Sequence, residues 1–427
     1  MYFIYTTILG ILLPFVLLRL FWLGRHNPAY RQRWAERLGY TPATSTDKPL
    51  IWIHAVSVGE IQVSRPLVQH IRENYPQYRI LISTVTPTGE VAARQIYGSS
   101  VEHRYLPYDL PFALTRFLRI IRPRVLLVLE TEIWPNLYRQ CKAEGIPVLL
   151  LNARLSERSL KGYRMFRSLT RDTLESVSVI AAQSTADAYR FIAAGAPPDQ
   201  VTVMGNLKFD ITIPPSVVER AEVIRRQFSV NRPVWIAAST HQGEEQIVLD
   251  AMKRVLEKVP DSLLIIAPRH PERFQTVAEL CVNRGFTTAC YSDPGSYDTG
   301  TQVFILDILG QLPAYYAAAD ITFVGGSLVP VGGHNMLEPS CVGVPVITGP
   351  HLFNFTEIAR LLDQVDALIR IENASRLAEE VVRLFADANL RFNIGQRAKQ
   401  VVLENQGSIN RVVTLLRKYL QPVSPRT

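Results

Sequence analysis

The chain has 427 residues, too many for one ordinary core and enough for two domains of about 200 residues each with a small appendage. Its 47% hydrophobic and 20% charged residues exclude a disordered or fibrous chain. With 46 Lys plus Arg against 38 Asp plus Glu, the formal net charge of +8 favours anionic partners, with nucleic acid, anionic lipid and sugar nucleotide all qualifying.

Met1 to Leu18 carries no charged side chain, and Leu20 to Leu23 continues the apolar run past Arg19. That is about one membrane span. A secretory signal would open on a charged segment and close on a small-residue cleavage site; neither is seen, so residues 1–23 read as an uncleaved anchor helix. Arg19, Arg25, Arg31, Arg33 and Arg37 crowd the downstream side. By the positive-inside rule the globular body then faces the cytoplasm, with a helix lying in the interface as the alternative.

Beyond the anchor, Leu50 to Val56 is a short apolar run followed by Ser57, Gly59 and Glu60 and then a helical pattern from Ile61. The same alternation recurs at Ile80 to Thr84, Val125 to Leu129 and Val148 to Leu151, which predicts a parallel sheet flanked by helices. Two adjacent prolines close the stretch Ile211 to Pro215 and predict a hinge. A second alternation follows, with strands at Val234 to Ala238, Leu263 to Ala267, Val303 to Leu306, Ile321 to Val324 and Val344 to Ile347. The expected organisation is α/β: an anchor at 1–23, a Rossmann-like domain at 24–212 and a second at 213–427, with a cleft between the lobes and a last helix able to reach back to the first. Cys141, Cys281, Cys290 and Cys341 lack metal-ligand or disulfide spacing and read as buried thiols in a reducing compartment.

Ligands of open parallel sheets bind beyond the carboxyl ends of the strands, so the turns that follow each run hold the candidates. Glu60 has the spacing of a capping box with Ser57, which is the first reading of the spacing alone; a general base that reaches the acceptor hydroxyl is the alternative. Glu130 and Glu132 follow the apolar run Val125 to Leu129 directly, and two carboxylates in such a turn need partners. Lys208 stands among apolar neighbours near the hinge, either as a snorkelling lysine or as a partner for phosphate or carboxylate. Arg269, after the aliphatic run ending at Ala267, reads as a bidentate phosphate ligand or a structural ion pair. Gly325, Gly326, Ser327, Gly332, Gly333, His334, Asn335 and Glu338 make a glycine-rich loop that opens a helix, a setting that suits an anion. This loop is no Walker A, and no His-Glu-x-x-His pattern or Asp-x-Asp pair suggests a metal. Arg154, Arg158, Lys161 and Arg164 form a basic cluster, either a solvated face or a seat for lipid phosphates.

Trp52 to Glu60 (WIHAVSVGE), Glu130 to Asn136 (ETEIWPN), Asn152 to Ser159 (NARLSERS), Gly205 to Asp210 (GNLKFD), Pro268 to Phe274 (PRHPERF), Phe323 to Ser327 (FVGGS), Gly332 to Glu338 (GGHNMLE) and Gly349 to Phe355 (GPHLFNF) resemble, in order, motifs of the Kdo transferase family, the 3-deoxy-D-manno-octulosonic acid transferases of lipopolysaccharide synthesis. The resemblance implies a type B glycosyltransferase fold with two doubly wound lobes, CMP-Kdo as donor, a lipid A precursor as acceptor, a bacterial inner membrane location and an inverting, metal-independent reaction without cofactor or nucleic acid. It implies further that Glu60 is the general base, that Glu130 and Lys208 support the transition state, and that Pro268, Arg269, Leu309, Gly310, Gln311, Asn335, Met336, Leu337 and Glu338 bind CMP. Two positions depart from the pattern: Gln311 stands where an acidic residue is expected and Met336 where proline is. A nucleotide-sugar epimerase of similar architecture is the competing enzyme class, and a non-catalytic nucleotide- or lipid-binding scaffold the competing non-enzyme.

Overall fold

The apolar runs of the first half become neighbouring strands. In the computed structural model, which describes residues 1–25, 27–42 and 48–420, seven strands form the first sheet: β1 (Leu50–His54), β2 (Arg79–Thr84), β3 (Glu102–Tyr105), β4 (Pro123–Leu129), β5 (Val148–Ala153), β6 (Val179–Ala182) and β7 (Val201–Val203). Their order is β3-β2-β1-β4-β5-β6-β7, and every pairing is parallel. A parallel sheet needs helical crossovers on its faces, so its strands are buried on both sides. Alternation along β1 shows this: Ile51 and Ile53 enter one apolar cluster with Val125, Leu127 and Leu149, while Leu50 and Trp52 enter another with Leu126, Val128 and Phe117. Each such side chain, fully buried, contributes about 1.5–3 kcal/mol.

The second sheet repeats the plan with β8 (Val234–Thr240), β9 (Leu263–Pro268), β10 (Thr288–Cys290), β11 (Val303–Ile305), β12 (Ile321–Val324), β13 (Val346–Thr348) and β14 (Leu368–Arg370). The order is β10-β11-β9-β8-β12-β13-β14, again parallel throughout. Trp235, Ala237, Leu264 and Phe323 face one helix layer, and Val234, Ile236, Leu263 and Ile265 face the other. The sequence pattern finds β1, β2, β4 and β5, and β8, β9, β11, β12 and β13; it misses β3, β6, β7, β10 and β14, which lie toward or at the sheet edges.

The chain separates into two compact units, one comprising Met1–Asp210 with Gln406–Thr427 and the other Ile211–Asn405. The terminal segment belongs to the first unit for visible reasons. Asp210 accepts hydrogen bonds from the backbone N–H of Gly407 (2.6 Å) and Ile409 (2.7 Å), and Val412, Leu415 and Leu416 of helix Ser408–Leu416 join the same cluster as Ile61 and Leu207.

Helix Tyr2–Leu23 has no buried residue and a mean hydropathy of 2.0 over its apolar window. Its 22 residues make about 33 Å of helix, close to the ~30 Å of a bilayer's hydrocarbon core. Its first turns are tied down by side-chain hydrogen bonds: Tyr5 Oη donates to Asp109 (2.9 Å) and Thr6 Oγ1 to Asn136 Oδ1 (3.1 Å), and Tyr2 Oη lies 3.3 Å from Thr173 Oγ1. Two of the five downstream arginines are tied into the unit. Arg33 pairs with Glu36 (2.7 Å) and Glu90 (2.6 Å), and Arg37 is buried over the ring of Tyr105.

Candidate functional site

Strand order reverses between β1 and β4 in the first sheet, and the turns after these two strands carry the acidic candidates. Ser57 caps helix Val58–Asn74, its Oγ accepting from Glu60 N–H at 3.2 Å. Glu60 reaches back, its Oε1 accepting from Ser57 O–H (2.9 Å) and its Oε2 from Val56 N–H (2.7 Å). The capping box is therefore formed, and it fixes the carboxylate in one rotamer at the strand end. Burial pushes the Glu60 pKa above the usual carboxylate range against the pull of the Val56 and Ser57 donors, and the charge of Glu130 adds to the rise.

Glu130 is the first residue past β4 and takes a left-handed backbone, φ 57°. Asn152, in β5, does the same at φ 54°. Two such non-glycine residues on adjacent strands cost about 1–3 kcal/mol each, strain of the kind that gathers at functional sites. Asn152 puts its conformation to use: Oδ1 accepts from Leu207 N–H (3.0 Å), while Asn206 Oδ1 accepts from Lys208 N–H (3.0 Å). These bonds hold the turn Leu207–Phe209 so that Lys208 Nζ lies 3.4 Å from Glu130 Oε1. Lys208 is thus an ion-pair partner rather than a snorkelling surface lysine. Glu132 is pushed up to about 7, first by burial and then by the charge of Glu60. The first unit brings together Glu60, Glu130, Glu132 and Lys208, all singled out in the sequence, with Asn152 beside them. Arg154, Arg158, Lys161 and Arg164 are all exposed and make no ion pair among the described residues, and exposed Met165 and Phe166 adjoin them.

In the second sheet the order reverses between β8 and β12. Glu244, in the first turn of helix Glu244–Lys258, is fully buried and accepts four backbone N–H bonds: His241 (2.9 Å), Gly326 (2.7 Å), Ser327 (3.0 Å) and Leu328 (2.9 Å). It organises the glycine-rich loop from below. Gly325 is required there, because a Cβ would lie 2.7 Å from Ser239 O and 2.9 Å from Glu244 Oε2.

The predicted nucleotide ligands follow β9, β11 and β12 along the same carboxyl edge. Arg269 is exposed and its guanidinium makes no ion pair among the described residues, so the structural-pair alternative does not hold for it. Arg273 takes that role, gripping buried Glu245 through two bonds of 2.6 and 3.0 Å. Leu309, Gly310 and Gln311 form an exposed to half-buried bend before helix Leu312–Ala318. Asn335 Oδ1 caps Leu337 N–H (3.1 Å), and its amide donates to Glu338 Oε1 (3.0 Å). Pro268, Met336 and Leu337 have buried side chains, so what they offer a ligand is backbone. Beside this loop, and unforeseen in the sequence, His241 Nε2 and His334 Nε2 meet at 2.7 Å, with the rings within 6° of parallel. Among the described residues no three His, Cys, Asp or Glu side chains group to hold a metal ion.

The first unit can take a proton at a carboxylate of raised pKa beside a lysine, and the second can receive an anion at a free arginine and a glycine-rich loop. The profile of the family described as 3-deoxy-D-manno-octulosonic-acid transferase (kdotransferase) matches residues 32–211. A 3-deoxy-D-manno-octulosonic acid transferase of Haemophilus influenzae is 39% identical over 421 residues, covering 98% of this chain and 99% of its own. Among solved structures, a glycosyltransferase from Rickettsia africae superposes with a TM-score of 0.56 at 14% identity, over 88% of this chain and 100% of that one. A UDP-GlcNAc 2-epimerase from Neisseria meningitidis does so with a TM-score of 0.57 at 14% identity, over 87% and 100%. A transferase and an epimerase match about equally, so the likeness establishes the two-sheet type B glycosyltransferase fold and leaves the chemistry to the sequence. At 39% identity over nearly its whole length, the chain belongs to the 3-deoxy-D-manno-octulosonic acid transferase family.

Proposed function

We propose that the chain transfers Kdo from CMP-Kdo to a lipid A precursor with inversion, Glu60 acting as general base. The observation that supports this most is the placement of Glu60: a carboxylate of raised pKa, locked by its own cap at the switch point, beside the Glu130–Lys208 pair. An acceptor hydroxyl would lose its proton to Glu60 as its oxygen bonds to the anomeric carbon. The bond from that carbon to the phosphate oxygen breaks, and the electron pair leaves with CMP. Lys208, steadied by Glu130, would hold negative charge near the reacting groups.

In the second unit, Arg269, the bend Leu309 to Gln311 and the loop ending in Asn335 to Glu338 would hold CMP. Gln311, in place of an acid, still offers an amide donor and acceptor. Fixed cations and oriented amides stabilise a leaving phosphate without reorganisation, and we take the reaction to be independent of added metal. The basic face Arg154 to Arg164 is suited to acceptor phosphates, and helix Tyr2–Leu23 to holding the enzyme at the cytoplasmic face of a bacterial inner membrane.

Incubation of the full-length protein with CMP-Kdo and a lipid A precursor, followed by mass analysis of the lipid, tests the reading. A lipid heavier by one or more Kdo residues is expected, in EDTA as in magnesium. CMP release without a lipid adduct would overturn it.

A further inference from the structure

The paired histidines of the second unit lie outside the residues assigned to the nucleotide. His241 follows β8, the strand at the switch point, and His334 stands in the glycine-rich loop immediately before Asn335. Their Nε2 atoms are 2.7 Å apart, a distance that requires one proton between them: one ring donates and the other accepts. The neutral pair therefore carries the bridging proton and a single Nδ1–H. One added proton goes to the free Nδ1 and leaves the bridge intact, whereas a second would set two Nε2–H groups against each other. Taken together, the pair can hold one positive charge and no more.

Its surroundings want an anion. Arg269 and His270 lie on one side, the His270 ring centroid 5.2 Å from that of His241. Of the nearby acids, Glu244 is committed to four backbone N–H groups and Glu245 to Arg273, while exposed Glu272 lies 3.8 Å from His270 Nδ1. Burial first, then the neighbouring histidines and Arg269, hold His334 down to about 4, and His241 is lowered by burial, His270 and Arg269.

We propose that His241 and His334 act as one proton-holding pair that offsets the second negative charge gained by the donor's phosphate as it leaves. This rests on the donor-site reading above. The phosphodiester of a CMP-sugar carries one negative charge; the monoester released carries two above its second pKa of about 6. As the bond to the sugar breaks, the pair takes one proton from solvent and becomes a monocation, and it returns that proton when CMP departs. Charge that forms only during departure is what a catalyst gains most by stabilising.

Calorimetry of CMP binding to the full-length protein at pH 7.5, in buffers of different ionisation enthalpy, tests this, because CMP is then already almost wholly the dianion. The wild type is expected to take up close to one proton on binding CMP and none on binding cytidine. His241→Asn and His334→Gln should each abolish the uptake and weaken CMP binding about tenfold, while His270→Gln keeps it. The imidazole ¹⁵N spectrum of the wild type, which needs no substitution, should show one ring of the pair becoming charged-type with CMP while its partner stays a neutral imidazole. Uptake absent in the wild type, uptake surviving both substitutions, or rings that stay neutral at saturating CMP would overturn the pair. If the wild type does not bind CMP at all, the donor-site reading itself falls, and the pair with it.

Discussion

Each unit places a glutamate in the first turn of the helix that leaves its switch-point strand, Glu60 after β1 and Glu244 after β8. Both are buried and both have pKa values raised by burial. They differ in how their oxygens are occupied. Glu244 accepts four backbone N–H bonds, one from His241 in its own turn and three from the distant loop Gly326 to Leu328, and has no capacity left for a ligand. Glu60 accepts from Val56 N–H and from the hydroxyl and backbone of Ser57, all in its own turn, and faces Glu130 and Glu132. The same residue at the same place in the same fold is a structural tie to a distant loop in one unit and is bonded within its own turn in the other, and this contrast underlies the proposal that Glu60 is the base.

Substituting both glutamates by glutamine breaks or confirms that contrast. Glu60→Gln keeps the size and much of the cap, so its melting temperature should stay close to wild type while transfer falls about 10²–10⁴-fold. Glu244→Gln replaces an acceptor of four donors by one that puts an NH₂ against some of them, and should cost about 1–3 kcal/mol of unfolding free energy. CMP binding by that variant should weaken because the loop from Gly325 to Leu328 loses its tie. Near-normal turnover in folded Glu60→Gln would make Glu60 a cap only.

Lys208→Ala should slow transfer about a hundredfold, and Glu130→Gln should slow it less, since the lysine remains. Neither should move CMP affinity, whereas Arg269→Ala should weaken CMP binding first. A smaller effect is expected at the start of the apolar helix. Tyr5→Phe removes the hydroxyl that donates to Asp109 and should cost about 1.5 kcal/mol, measured as unfolding in detergent, with CMP binding unchanged. A loss of CMP binding there would show coupling that the hydrogen bonds of the first unit do not explain.

What the sequence revealed follows the same physics. Strands such as LIWIH, VLLVL and LLIIA sit in sheet centres, buried on both faces, and appear as unbroken aliphatic runs. The edge strands EHRY, VTV, TAC and LIR are three or four residues long with polar members, and no run marks them. Glu60, Glu130, Arg269 and the glycine-rich loop were legible because chemistry at a strand's carboxyl end can be read from the residue after the strand. Glu244, Asn152 and the His241–His334 pair were not. Their roles depend on contacts spanning 84, 55 and 93 residues of sequence, and in Asn152 on a left-handed backbone that only an asparagine in an aliphatic run hinted at.

Glu132 provides the last and smallest test, because it separates two carboxylates that share one turn. Its folded-state pKa of about 7, set by burial and then by the charge of Glu60, lies above the ~4.3 of a free glutamate. The folded state therefore binds this proton more tightly than the unfolded state does. That contribution to stability is fully present below about 4.3 and is lost as pH rises through about 7. Glu132→Gln cannot ionise, so its melting temperature should exceed wild type at pH 8, and the gap should narrow steadily towards pH 5. Transfer at pH 8 should stay near wild type if Glu60 is the base, with the acid limb of the rate profile unmoved, since the rise in the Glu60 pKa comes from burial and then the charge of Glu130. A gap that does not narrow would place Glu132 in a more solvated setting than its burial indicates. Transfer lost about a hundredfold in a folded Glu132→Gln, with Glu60→Gln active, would move the base one strand over, from the turn after β1 to the turn after β4.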